Sequence, residues 1–410
     1  MTIKDLRNIF WLAVNQGGNA LFPLVLMPWL LLALGSEDFA RLVLAEVIAF
    51  YVLTLCLYSF DVTQVKAVAT AVASSDDKAQ AQIFYQVLQT RLLLFVLCSL
   101  VLLGVTYNLA LEPFFLIWLL FPLGMILQHN YFFQACQENK ALALLVFISR
   151  LLVMGAVWWL QNQQQLNVET ASWLAAGSYL LSGLLASLLL MVRLPRNGWP
   201  AMADSVQLIR DGSVIFTGNL AVTLYRNTNV FLLSLLATPY AVSVYAIAEK
   251  YVRMLQALAR PLNDHYYAKI ASLLNPAALN ASFAVIRQST RPQLLLLLVA
   301  GGLGALAAFV LAGLGLLPSQ FLSVLSLLAI MSGAVLFGVV NFMYGVVGLN
   351  NLGYDRAMAR RLLLVGVISL LLCALLAPIG QQYGAALAFV FAEMLLTILI
   401  VIKIRQVTRA

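Results

Sequence analysis

The chain has 410 residues, 63% hydrophobic and 10% charged, against about 45–50% apolar and about 25% charged in soluble domains. At roughly 20 residues per transmembrane helix, this length accommodates about a dozen spans and excludes a sizeable soluble domain. The net charge of +8 belongs, in a polytopic chain, to cytoplasmic loops, and gives no reason to expect a nucleic-acid partner.

Lys4 and Arg7 precede an apolar run that is too long for a signal-peptide core and lacks a small-residue cleavage site, so the first span is expected to be uncleaved. Hydropathy and punctuation predict twelve helices, over 8–34, 39–60, 83–106, 112–135, 139–160, 170–194, 211–237, 240–263, 289–316, 319–347, 356–378 and 383–404. The joins carry turn signals: Gly35-Ser36, Glu112-Pro113, the polar run 161–168, Pro195 to Pro200, Thr238-Pro239, Pro292, Pro318 and Asn350-Asn351. Segments assigned to one side collect twenty of the twenty-four basic residues, Arg91 and Arg150 among them, while the connections 107–111, 161–168, 238–239, 317–318 and 379–382 contain none. By the positive-inside rule both termini are cytoplasmic.

Four basic residues escape this rule: Arg41, Arg226, Lys250 and Arg253. A charge at the centre of a membrane helix costs about 2.5–3.5 kcal/mol on insertion scales, so such residues face a partner or a watery cavity. Arg226 falls midway along the seventh span, and Lys250 and Arg253 midway along the eighth. Tyr245, Glu249, Arg253, Gln256 and Arg260 recur at intervals of three and four, on one helical face. A plain i,i+4 pair of Glu249 with Arg253 in a packed bundle is the structural alternative, and it would leave Lys250 and Arg226 over. Further polar groups are Asn15, Gln16 and Asn19 in the first span, Arg41, Glu46 and Asp61 in the second, and Asn219, Thr223 and Asn227 in the seventh. Spans one, two, seven and eight are therefore predicted to line a cavity; three, five, six, nine and eleven read as apolar outer helices. Glu393, alone at mid-depth in the twelfth, is either a buried pair or an ion or proton site.

Residues 34–46, LGSEDFARLVLAE, resemble 236–249, LATPYAVSVYAIAE, and Asn19 and Asn219 fall at nearly the same offset. This points to two six-helix halves in the same orientation, a lobe over 1–194, a cytoplasmic linker over 195–210 and a lobe over 211–410. Enzymatic chemistry is poorly represented. Cys56, Cys98, Cys136 and Cys373 lack metal-ligand spacing, no lysine follows glycine in a phosphate-loop pattern, and His129 and His265 read as interfacial residues at the cytoplasmic side.

The segments PLVLMPWLLLALGSEDFARLVLAEVIAFYVL at 23–53 and RDGSVIFTGNLAVTLYRNTNVFLLSLLATPYAVSVYAIAEKYVRMLQALARPLNDHYYAKIASL at 210–273 resemble the Wzx-type O-antigen flippases, in the polysaccharide-transporter branch of the superfamily that includes multidrug and lipid II exporters. The resemblance implies an all-α fold with two six-helix lobes around a central cavity, opened alternately to each side of a bacterial inner membrane. The cargo it implies is a polyprenyl-pyrophosphate-linked oligosaccharide, moved outward by a monomer without cofactor, with polysaccharide polymerase machinery as a partner. The cationic cavity of that family maps here onto Arg226, Lys250 and Arg253, with Asn15, Asn19, Arg41, Glu46, Asn219, Glu249, Gln256, Arg260 and Glu393 as lining or coupling candidates. Coupling to a proton or sodium ion is open, with Glu46, Glu249 and Glu393 as carriers. The rival within the fold is a drug/ion antiporter, which calls for an anionic cavity; from another class, a membrane-embedded glycan-assembly enzyme requires larger outer loops.

Overall fold

The computed structural model describes the backbone of residues 3–108, 112–195, 198–258, 274, 278–315 and 318–409; side chains are described from Phe22 on, except at 214, 219, 221–222, 224–226, 257–258, 319–320 and 355. Among these residues all regular structure is helical, as a chain in lipid requires when its backbone groups must bond within each segment. Two compact units divide the chain, Met1–Thr223 and Leu224–Ala410. Among the described residues, eight helical stretches are long and apolar enough to cross a membrane, and two of them, Phe22–Ala73 and Arg356–Thr408, run to 52 and 53 residues. Each is about twice the length of one crossing.

In the first unit, α1 (Ile3–Leu57) is interrupted at Gly35, whose φ of 78° and ψ of 173° leave the helical region. This is the predicted Gly35-Ser36 turn, made where a side chain would be disfavoured. Helix α2 (Phe60–Ala73) occupies a segment expected to be a connection. It is followed by α3 (Asp77–Asn108), which begins six residues before the predicted span. The predicted helix 112–135 is broken into α4 (Phe114–Ile117), α5 (Leu120–Leu127) and α6 (Asn130–Ala135). Pro122 accounts for the first break, because it lacks an N–H and its ring crowds the carbonyl of Trp118, four residues back. His129 makes the second, in the left-handed region at φ 49°, ψ 44°.

Helix α7 (Asn139–Asn162) and α8 (Val168–Arg193) follow the prediction closely. The start of α8 is fixed by a capping box, in which the Thr170 N–H donates to the Asn167 side chain (2.9 Å) and the Asn167 N–H to the Thr170 hydroxyl (3.0 Å). Phe60, Phe84, Tyr131, Phe132 and Leu142 form a fully buried core. Outward faces are apolar too: Leu97, Leu100 and Val101 of α3 are each about 60% exposed, a surface suited to lipid.

Helix α9 (Met202–Leu236) crosses the division between units, and its first nine residues are helical where a linker was expected. In the second unit, α10 (Pro239–Leu258) packs along α12 (Ser319–Val340), and α12 along α13 (Asp355–Arg409). Between them in sequence lies α11 (Leu279–Gly313), which passes through Pro292 without ending, so that the predicted join there is not made. A ten-residue π-helix, Asn341–Asn350, continues α12. Helix α13 breaks at Gln381 (φ 51°, ψ −133°). A glutamine in this region is strained, and it is held by its own amide oxygen, which accepts from the Thr238 N–H (2.9 Å) and hydroxyl (3.2 Å) at the start of α10.

Candidate functional site

Residues 241–249 of α10 are all buried, an uninterrupted run rather than a stripe. Ala241, Ser243, Ala246 and Ala248 within it are small, which lets neighbouring helices approach closely. Two turns of this helix then carry the polar chemistry predicted for it. Glu249 Oε1 accepts from Arg253 Nη2 at 2.9 Å, and the same nitrogen donates to Asn227 Oδ1 of α9 at 2.6 Å. The Glu249 side chain is 7% exposed and that of Arg253 36%, so the carboxylate lies deep and the guanidinium reaches toward the surface of the unit. One turn earlier the fully buried Tyr245 hydroxyl accepts from Asn229 Nδ2 at 3.4 Å.

The i,i+4 pair weighed as the structural alternative therefore exists. It does not leave Lys250 over, since this half-buried lysine is engaged as well. Arg253 bridges to its carboxylate through Nη2, and its link to Asn227 ties α9 to α10. Gln256 is half-buried, and its amide nitrogen would lie 2.8 Å from a Cβ placed at Gly338; α12 passes it closely there. The backbones of Asn219 and Arg226 lie in α9 and those of Asn15 and Asn19 in α1, but their side chains, and Arg260 altogether, lie outside the described residues.

Glu393 meets Asn341 of the π-helix. It is 3% exposed, and its Oε2 accepts from Asn341 Nδ2 at 2.7 Å. The Asn341 nitrogen also donates to the Glu393 carbonyl (3.1 Å), while Asn341 Oδ1 accepts from the Thr397 hydroxyl (2.8 Å). Asn341 opens the π-helix, a geometry that proteins concentrate at functional positions.

In the first unit, Arg41 donates to Asp38 at 2.8 Å and to Glu112, with its guanidinium 5.4 Å from the Phe114 ring. It clasps α1 to the segment leading into α4. Glu46 is half-buried and engaged.

The same unit corrects the assignment of two arginines to loops and helix ends. Arg91 is fully buried, paired to Asp61 at 2.8 Å, with its guanidinium 5.1 Å from the Tyr131 ring. Arg150 is 3% exposed, 3.5 Å over the Tyr179 ring and 4.8 Å from that of Phe22, with Nη1 donating to the Ser178 hydroxyl. It stands eleven residues into α7, about 17 Å along the axis at 1.5 Å per residue; counting along the helix was the signal that could have found it. His129, expected at an interface, is likewise fully buried, with Nε2 2.9 Å from the Ser187 hydroxyl.

Arg150 and His129 share a partner helix that hydropathy reads as apolar. Helix α8 presents Ser172 to Trp118 Nε1 (3.1 Å), Ser178 to Arg150, Ser182 to Gln128 Nε2 (2.8 Å) and Ser187 to His129. The prediction of an outer, apolar sixth span is thus revised to a serine seam on a helix whose other face is exposed. At its tightest point Gly183 of α8 opposes Gly124 of α5, where an added Cβ on either would come within 2.2 Å of the other helix's backbone.

These features define a polytopic, all-helical membrane protein in which polar groups are collected on inward helix faces. Residues 6–264 match the family described as "Polysaccharide biosynthesis protein", and the chain belongs to that family. Among curated proteins it is 27% identical over 416 residues to the "Putative O-antigen transporter" of Escherichia coli (strain K12), covering 98% of this chain and 96% of that one. Among solved structures, its fold is similar to the lipid II flippase MurJ in an inward closed conformation (TM-score 0.69, 10% identity, 97% of this chain and 87% of that one). It is similar also to an inward-facing multidrug resistance MATE family transporter of the MOP superfamily (TM-score 0.67, 13% identity, 98% and 99% covered).

Proposed function

We propose that the protein is a membrane flippase that moves a polyprenyl-pyrophosphate-linked oligosaccharide, an O-antigen or similar surface-polysaccharide repeat unit, from the cytoplasmic to the outer leaflet of a bacterial inner membrane. The observation that carries the reading is the excess of positive charge in the central turns of two adjoining helices, apart from Asp204, Arg210 and Asp211 near the start of α9. Lys250 and Arg253 on α10, with Arg226 on α9, outnumber the single carboxylate of Glu249. A cationic path suits an anionic cargo, whereas an exporter of cationic drugs calls for the opposite sign. The near full-length similarity to the "Putative O-antigen transporter" supports the same reading.

In this account the chain makes twelve crossings in two six-helix lobes that alternate access, with both termini cytoplasmic. Arg226 and Arg253 grip the pyrophosphate through their planar forks, and Lys250 adds field. Arriving cargo competes with Glu249 for Arg253, so loading frees the carboxylate and unloading restores the pair. A pyrophosphate diester carries about two charges, and each gains about 2.3 kcal/mol per 100 mV on leaving a negative cytoplasm, so export needs no nucleotide hydrolysis. Glu249, Glu393 and Glu46 are the candidate carriers of a coupling proton or sodium ion. The working unit is a monomer that hands its product to polysaccharide polymerase machinery.

The test is deletion of the gene in the source bacterium. Loss of a flippase leaves lipid-linked repeat units on the cytoplasmic face, and Arg253→Gln expressed at normal level should reproduce that state. Single repeats displayed at the cell surface would mark a polymerase instead, and unaltered polysaccharide with lost drug resistance would mark an antiporter.

A further inference from the structure

The second unit contains another cationic feature, away from the α10 ion pair in sequence and built on other helices. Two adjoining cavities of about 610 and 520 Å³ share Arg287, Arg291 and Tyr344 in their walls, and Arg405 lines the second. Both volumes lie in the range of small-molecule sites. The arginines at 287 and 291 are one helical turn apart on α11, and Arg405 comes from the far end of α13. No carboxylate is among the described residues that line either cavity. The rings of Phe283 and Tyr344 stack nearly parallel at 6.5 Å beside the first, and Leu294, Val340 and Val401 make the second apolar.

The depth of this site follows from the helices that build it. From Leu294 to Gly313, α11 carries no charged residue, and these twenty residues extend about 30 Å, the thickness of the hydrocarbon layer. Arg291 and Arg287 therefore stand at and just beyond its edge, where the phosphates of one leaflet lie. On α13, Arg405 follows Lys403 just past the uncharged run 394–402, and its presence in the same cavity puts it at the same level. The apolar arm of α11 is lipid-facing, with Leu295, Leu298, Val299 and Leu303 more than half exposed. A bilayer lipid thus has lateral access, and an occupant with a charged end at the arginines and a chain along Leu294 and Val401 matches the lining.

We propose that this paired cavity is a binding site for an anionic glycerophospholipid, its phosphodiester held by Arg287, Arg291 and Arg405 and the start of an acyl chain by Leu294, Val340 and Val401. Guanidinium forks are suited to phosphate oxygens, and basic pockets between transmembrane helices are a recurrent way to hold anionic headgroups. The bound lipid would join α11, the π-helix and α13. Lateral access at leaflet level suits a resident lipid, and the proposal does not rest on the identity of the cargo.

The test measures binding of phosphatidylglycerol against phosphatidylcholine to the purified full-length chain by native mass spectrometry from detergent. Wild type should retain phosphatidylglycerol in preference. At about fivefold per arginine, Arg287→Gln, Arg291→Gln and Arg405→Gln should each erode the preference and the triple variant should lose it. Arg193→Gln, which removes an exposed charge in the other unit, should leave it within about twofold. Equal retention of the two lipids by wild type overturns the proposal even if no variant folds, and so does an unchanged preference in a folded triple variant. Displacement of phosphatidylglycerol by polyprenyl pyrophosphate would overturn it in favour of a cargo site, and displacement by inorganic pyrophosphate in favour of a simple anion site.

Discussion

The unequal burial of Glu249 and Arg253 makes a directional prediction. Breaking a fully buried ion pair by removing one partner costs about 3–5 kcal/mol, whereas an exposed i,i+4 pair is worth about 0.3–0.5 kcal/mol. This pair lies between, with Glu249 7% and Arg253 36% exposed. Arg253→Gln strands a deep carboxylate and should cost about 2 kcal/mol. Glu249→Gln leaves an arginine that keeps Asn227 at 2.6 Å and partial exposure, and should cost below about 1 kcal/mol. The double variant should recover about 1 kcal/mol relative to the sum of the singles. The assay is a double-mutant cycle on unfolding in mixed SDS–detergent micelles, where the unfolded state keeps its helices in an apolar medium. Equal costs, a larger cost for Glu249→Gln, or simple additivity would refute the argument from burial.

Other consequences are as direct. Gly124→Ala should destabilise by about 2–3 kcal/mol, because its Cβ would meet the Tyr179 backbone at 2.2 Å, while Gly104→Ala, with nothing within 4 Å, should be neutral or stabilising; the same micelle assay compares them. Arg150→Lys should cost about 1–2 kcal/mol, because an ammonium cannot stack between the Tyr179 and Phe22 rings as a guanidinium does, and loss of stability without loss of cargo binding would mark Arg150 as a packing residue. A cysteine at Gln163 should react with an impermeant thiol reagent in intact cells and one at Asn197 should not; the reverse labelling would overturn the proposed orientation.

Much of the helix punctuation was legible because it rests on local chemistry. Gly35 supplies the positive φ of the first break, and Asn350-Asn351 leads into the turn closed by Gly353 at φ 86°. Pro122 and Pro292 show the limit of such signals: one falls at a break and the other inside a continuous helix, and a proline alone does not say whether neighbours will satisfy the carbonyl it frees. The polar face of α10 was legible from its spacing of three and four, since Tyr245, Glu249 and Arg253 do meet partners within one helix pair. Arg91 and Arg150 were misread because counting basic residues as markers of one membrane side ignores that aromatic rings and a serine hydroxyl can hold a guanidinium inside a lobe. Glu393 meets Asn341, 52 residues away in a π-helix, and nothing local to either residue announces that contact. The serine seam of α8 escaped for a related reason: isolated serines barely lower the hydropathy of a span, yet their hydroxyls decide which face it buries.

Transbilayer movement of a fluorescent polyprenyl-pyrophosphate-linked oligosaccharide, measured in liposomes containing only the purified protein, tests the central claim most directly. The account predicts movement that accelerates as the potential is made negative on the side the cargo leaves, that falls to the protein-free rate with Arg253→Gln, and that is partly retained with Arg253→Lys. Cargo remaining in its starting leaflet while the same preparation carries a cationic dye across the membrane would contradict it.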